Sequence, residues 1–154
     1  MPNTLFADIL QQDLDLRVKV TGRSMRPFIN NGDLVTLRKI SPELLKRGDI
    51  IYYTSTNGSP VMHRIFSKAK LSDDSLLLTT KGDALLQEDM PISVDQILGK
   101  AFKVEKKLPL IGPLSFSLDS ILSSVLYKIY TLLFSLKCKT RNYLKLVFTS
   151  PANK

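Results

Sequence analysis

The chain has one cysteine, Cys138, and one histidine, His63. A single thiol excludes an internal disulfide framework and any cysteine-rich zinc site. A single imidazole excludes the paired-histidine metal motifs HxH and HExxH, so neither a metal ligand set nor a cofactor site is expected. No run reaches the roughly 20 uninterrupted apolar residues that cross a bilayer. The opening residues, MPNTLFADILQQDLDLRVKV, have no basic leader followed by a long apolar stretch, so no secretory signal peptide is expected. Strands and helices do not alternate as βαβ units, and no solenoid-type repeat occurs.

The remaining composition is that of a folded protein. At 154 residues, with 44% hydrophobic and 23% charged residues, the chain is long enough to bury a core as one domain with or without an appendage. Its net charge of +8 is unevenly placed. Residues 1–97 carry 12 basic and 12 acidic side chains, whereas residues 98–154 carry 10 basic ones against Glu105 and Asp119. A uniformly basic chain would suggest nucleic acid. A neutral body with a basic, apolar end suggests instead an anionic membrane surface or an acidic partner.

Residues 4–14 carry Leu5, Phe6, Ile9 and Leu10 among polar residues, a short amphipathic helix capped by Asn3 or Thr4. Leu16 to Val20 alternates with period two, a half-buried strand that runs directly into Gly22-Arg23-Ser24. Leu34 to Leu37 reads as a second strand, and Ser41-Pro42-Glu43 as a turn or one-turn helix. Ile50 to Tyr53 and Val61 to Phe66 flank the hairpin signal Asn57-Gly58. Leu76 to Thr80 and Ile97 to Val104 complete the strands. Gly32-Asp33, Gly48-Asp49 and Gly82-Asp83 punctuate them, so the chain to residue 104 reads as mainly β, a roll or barrel of short strands.

Composition shifts at Lys106-Lys107-Leu108-Pro109. From 114 to 136 apolar residues recur at helical spacing, among them Leu118, Ile121, Leu122, Val125, Ile129, Leu132 and Leu133. An amphipathic helix is expected there, followed by Lys137, Lys139, Arg141 and Lys145. It has two readings: packed on its own domain or a partner, or lying on a membrane surface. The expected division is residues 1–107 as a β domain and 108–154 as a basic helical tail.

Few side chains can carry chemistry. Ser24 follows a glycine-containing turn, where serines are commonplace, and its hydroxyl needs a base to act as a nucleophile. His63 alternates with Val61 and Ile65 and would share their strand face; a lone strand histidine is more often structural, yet it can accept a proton near neutral pH. Arg64 would point the other way, to the surface or to a carboxylate. Asp83 and Asp89 follow in one polar segment, either as loop and cap residues or with one carboxylate accepting from the imidazole.

Taken together these residues resemble the signal peptidase I family and its relatives, the LexA-type self-cleaving peptidases. Gly22-x-Ser24-Met25-x-Pro27 with Gly32-Asp33 resembles their nucleophile box. Arg47-Gly48-Asp49-Ile50-Ile51 resembles the second box and Met62-His63-Arg64-Ile65 the base box. Thr80-Lys81-Gly82-Asp83 with Asp89 resembles the carboxylate box, and Leu98-Gly99-Lys100 the closing strand. The boxes stand in family order across roughly residues 16–104. Bacterial signal peptidases and LexA-type enzymes have a lysine ahead of the arginine. His63 instead resembles the endoplasmic-reticulum, archaeal and sporulating-bacterium branch.

The resemblance implies a signal-peptidase/LexA-like β-roll and a serine endopeptidase that cuts an extended segment of a precursor protein or peptide. It implies Ser24 as nucleophile, His63 as base and Asp89 as orienter, with Asp83 the competing or supporting carboxylate. Lys81 is a rival base. The serine that some members use two residues before the nucleophile is here Gly22, so backbone donors or another side chain are left to form the oxyanion site. Members usually carry an N-terminal membrane anchor, and the polar residues before Ser24 do not resemble one. Peripheral membrane contact through residues 108–154, or a cytoplasmic location, is therefore expected. The alternative is a catalytically idle or regulatory relative acting as a membrane-surface or protein-binding module.

Overall fold

The structure is a computed structural model and describes residues 15–72, 74–108, 112–118, 129–130 and 132–133. Eight strands occur among the described residues: β1 (Leu16–Lys19), β2 (Leu34–Arg38), β3 (Ile50–Thr54), β4 (Pro60–Lys70), β5 (Leu76–Lys81), β6 (Ile92–Ser93), β7 (Ile97–Leu108) and β8 (Gly112–Ser117). Single 3-10 turns lie at Pro42–Leu44 and Val94–Gln96. The chain divides into two compact units, Met1–Asp119 and Ser120–Lys154.

The strands form one antiparallel sheet in the order β1-β2-β7-β3-β4-β5-β6, with β8 also paired to β7. This is the mainly β, curled architecture expected from the run of short strands. β7 is its spine. Its first residues pair with β3 on one side, its middle with β2 on the other, and its last six with β8. Register shifts at Thr36/Leu37, Tyr52/Tyr53 and Ile65/Ser67 insert irregularities that bend and twist the strands they interrupt.

Both faces of the sheet are covered, which explains why β3 is apolar without alternation. Ile50 and Tyr52 face a core of Met25, Ile29, Val35, Leu37, Met62, Ala101 and Val104. Ile51 and Tyr53 face a second core with Leu45, Ile65, Leu78 and Ile92. His63 stands directly opposite Ile51 in the β3–β4 ladder, so its side chain belongs to the second face, with Ile65. The turn that carries Ser24 belongs to the first, through Met25 and Ile29.

Two of the Gly-Asp turns are built alike. Gly32 and Gly48 both take positive φ, +90° and +97°. A side chain there would be strained. In each turn the following aspartate accepts from a backbone N–H three residues earlier, Asp33 from Asn30 (2.8 Å) and Asp49 from Lys46 (2.9 Å). Each aspartate is also met by a lysine from β7, Lys106 for Asp33 and Lys100 for Asp49.

Two expectations change. Residues 114–117, read as the start of a helix, are strand β8. Their backbone groups pair with the half of β7 that extends beyond β3, an edge that would otherwise be open. The sheet therefore continues past residue 107. Helix is present at residues 129–130 and 132–133, and the rest of the expected C-terminal helix lies outside the described residues, as does the N-terminal helix over 4–14. Among the described residues, no helix is long and apolar enough to cross a membrane.

Leu78 is fully buried in the second core. Leu78→Ala should cost about 2–5 kcal/mol, because the cavity adds to the lost transfer energy. Urea unfolding should show the loss as a lower midpoint with an unchanged slope.

Candidate active site

The site forms where three distant parts of the chain meet: the turn that carries Ser24, β4, and the loop between β5 and β6. Ser24 lies at the start of a helical turn after β1, with Ile29 N–H donating to Met25 O at 3.0 Å. Met25 and Ile29 anchor that turn in the core while Ser24 stays half-exposed. Its Oγ is 3.0 Å from His63 Nε2. His63 is buried at 6% exposure, held by β4 between β3 and β5.

The other imidazole nitrogen, Nδ1, is 2.6 Å from Asp89 Oδ2. Since Asp89 can accept, Nδ1 is the nitrogen that carries the proton and Nε2 is left to accept from Ser24. Of the two carboxylates proposed from the sequence, Asp89 therefore meets the imidazole. Asp83 does not. It is gripped by Arg64, whose Nε and Nη2 donate to Oδ1 and Oδ2 at 2.8 and 2.7 Å.

Arg64 is buried rather than displayed at the surface, and the carboxylate it holds is Asp83. Its Nη1 donates to Gly48 O at 2.8 Å, and its guanidinium lies 5.6 Å from the Phe28 ring centroid. One side chain thus ties the second Gly-Asp turn, the carboxylate loop and the Ser24 turn together. Alternation along β4 explains the division of labour, because neighbours on a strand face opposite ways. His63 faces the Ser24 hydroxyl and Asp89, and Arg64 holds the frame behind it.

Lys81, the rival base, lies over the Phe66 ring at 5.8 Å from its centroid. It makes no hydrogen bond to Ser24 among the described residues. It follows Thr80 on β5 and so faces away from it.

Two residues of the site were given no role by the sequence. Thr80 Oγ1 donates to Asp89 Oδ2 at 2.7 Å, and the Tyr53 hydroxyl donates to the same oxygen at 3.2 Å. Burial pushes the Tyr53 hydroxyl up to about 12, with the nearby Asp89 charge adding to the rise against the lowering effect of the Thr80 bond. It therefore remains a protonated donor. Alternation could have found Tyr53, two residues from Ile51 and hence on the face of His63. The register that brings Thr80 close was not readable from spacing.

The third Gly-Asp pair differs from the other two. Gly82 does not take positive φ; it is needed for close approach. A Cβ there would sit 2.8 Å from Ser24 O and 2.9 Å from Leu85 Cδ1. Ala84 N–H donates to that same Ser24 oxygen at 2.7 Å. The loop that carries Asp89 is thereby fastened to the backbone of Ser24. Gly82→Ala must push the two apart. Displacement of about 1 Å costs on the order of 100-fold in rate for a positioned catalytic group. The variant should fall by at least about 10-fold in kcat/KM on a cleaved peptide while remaining folded by circular dichroism.

The sequence model of the Peptidase S24-like family matches residues 3–102, which contain Ser24, His63, Arg64, Asp83 and Asp89. No match is found among curated proteins. The family match and the mainly β fold agree on a serine peptidase in general. On its sequence over residues 3–102, this chain belongs to the Peptidase S24-like family, within the clan that joins LexA-type and signal peptidases.

Proposed function

We propose that the chain is a serine endopeptidase of signal-peptidase type with a Ser-His-Asp mechanism. The observation that carries this reading is the unbroken contact chain from Ser24 Oγ to His63 Nε2 and from Nδ1 to Asp89, at 3.0 and 2.6 Å. Ser24 Oγ attacks the scissile carbonyl carbon as its proton passes to His63 Nε2. The same proton is then delivered to the leaving amine, which departs with the C-terminal product. Water repeats the sequence to release the acyl group, and Asp89 stabilises the imidazolium in both halves. Asp83 has a supporting role, holding Arg64 and the frame.

The oxyanion needs donors in the nucleophile turn. Gly22 has no side chain to offer. The Ser24 amide donates to no backbone acceptor among the described residues, which supports it as one such donor. Among the described strands, β1 pairs only with β2, and its chain leads straight into the nucleophile turn. An open edge there supports an extended substrate held by β-addition. The histidine at the base position, where lysine-type members carry lysine, supports the endoplasmic-reticulum, archaeal and sporulating-bacterium branch.

Cleavage profiling against a peptide library with mass-spectrometric readout tests the chemistry. Ser24→Ala and His63→Ala should each lower kcat/KM by about 10³-fold or more while both variants remain folded by circular dichroism. Wild-type cleavage that stays at the background level of both variants would instead favour the idle binding module.

For the partner surface, we propose peripheral contact of the C-terminal unit with anionic lipid. Ile129, Leu132 and Leu133 share one helical face and are 50%, 63% and 59% exposed, and the chain around them is basic. Sedimentation with phosphatidylserine vesicles should drop at least about fivefold for the Leu132→Glu/Leu133→Glu variant. Removing the unit after Leu118, which spares β8, should have the same effect. Undiminished sedimentation of both would exclude this unit as the contact.

A further inference from the structure

We infer that Tyr53 and Thr80 are positioning residues, a buried hydroxyl pair that holds the Asp89 carboxylate in register with His63. The inference rests on the peptidase reading above and extends it to two residues that do not touch the reacting atoms.

The argument begins with where Asp89 sits. It lies on the loop between β5 and β6, whose residues Leu85, Leu86 and Met90 are 39%, 61% and 72% exposed. A side chain on an exposed loop is free to choose among rotamers, and only one of them meets Nδ1. Thr80, by contrast, is fully buried on β5, and Tyr53 is 2% exposed on β3. The carboxylate is on the mobile kind of element and the two hydroxyls are on the rigid kind.

Thr80 grips Asp89 twice. Its carbonyl accepts from the Asp89 backbone N–H at 2.8 Å, and its hydroxyl donates to Oδ2 at 2.7 Å. The Tyr53 hydroxyl approaches the same oxygen at 3.2 Å and lies 2.9 Å from Thr80 Oγ1. His63 Nδ1 is the third donor to Oδ2. If Asp89 turned away, the two buried hydroxyls would have only each other, and one of their two protons would lose its acceptor, an unfavourable outcome that selects the observed rotamer.

Counting protons ranks the two. The hydroxyls share two protons across three oxygen–oxygen contacts, so one can relay through the other. Thr80 is closer to Oδ2 and also holds the backbone, so it is the principal support, and Tyr53 is the second.

The test uses the full-length protein and two readouts. The first is kinetics on a peptide cleaved in the profiling experiment. The second is the downfield Nδ1 proton of His63 in proton NMR, unambiguous because His63 is the only histidine in the chain. Thr80→Val should lower kcat by about 10- to 100-fold with KM changed less than about twofold, and should broaden or shift the Nδ1 resonance. Tyr53→Phe, which keeps the ring, should act in the same direction but more weakly. Thr80→Ser should restore both the resonance and kcat. A Thr80→Val protein with wild-type resonance and kcat, in a preparation where Ser24→Ala is inactive, would overturn the positioning role and leave the peptidase reading intact. Were Ser24→Ala as active as wild type, the peptidase reading and this inference would fall together. Loss of kcat that Thr80→Ser does not restore, with the Nδ1 resonance unchanged, would mark Thr80 as merely structural.

Discussion

The Arg64 guanidinium ties together three turns around the site, those that carry Gly48, Asp83 and Phe28. It donates twice to Asp83 and once to the Gly48 carbonyl, and it stacks near Phe28 of the Ser24 turn. Burying a guanidinium and a carboxylate is costly, and their attraction offsets that only when geometry is good and the remaining donors are used. Here the fork is bidentate, and a backbone carbonyl takes a third donor. The gain lies in geometry. A planar fork fixes Asp83, and Asp83 is next to Gly82, whose missing Cβ lets the loop close on Ser24 O. Each link sets the position of the next.

The sheet makes this convergence workable because it has a core on each face. The Ser24 turn is anchored in one core through Met25 and Ile29, and the imidazole rises from the face of the other. Rigid strands therefore fix His63 and Thr80, while the two groups that come from loops, Ser24 and Asp89, are drawn in by backbone hydrogen bonds. Ser24 O accepts from Ala84, and Thr80 O accepts from Asp89. Polar contacts at loops are thus locked by the same strands that supply the apolar burial.

Much of the β part was legible. Period-two alternation in Leu16–Lys19 and the apolar run Ile50–Tyr53 identify strands because pleated backbone and burial impose those patterns. The Gly-Asp turns were legible as turns, but not the fact that Gly82 serves close approach where Gly32 and Gly48 serve positive φ. The segment 114–117 was misread: Leu114 stands two residues from Phe116, a strand spacing, and four from Leu118, a helical one, and the deciding factor was an unpaired stretch of β7 that no local window contains.

The sequence by itself determined the chemistry on offer: one imidazole, a serine in a glycine-containing turn, an arginine beside the histidine, and two aspartates in one loop. It also determined that His63 and Arg64 face opposite ways, since strand geometry demands it. Only the tertiary structure decided which carboxylate meets the imidazole and which the guanidinium. Asp83 and Asp89 are both within reach along the chain. Their partners follow from the β4–β5 register, which sets Arg64 opposite Lys81, and from the depth at which the loop is held. The roles of Tyr53 and Thr80 were decided in the same way, because three hydroxyl and imidazole donors can converge on one carboxylate oxygen only after β3, β4 and β5 are side by side.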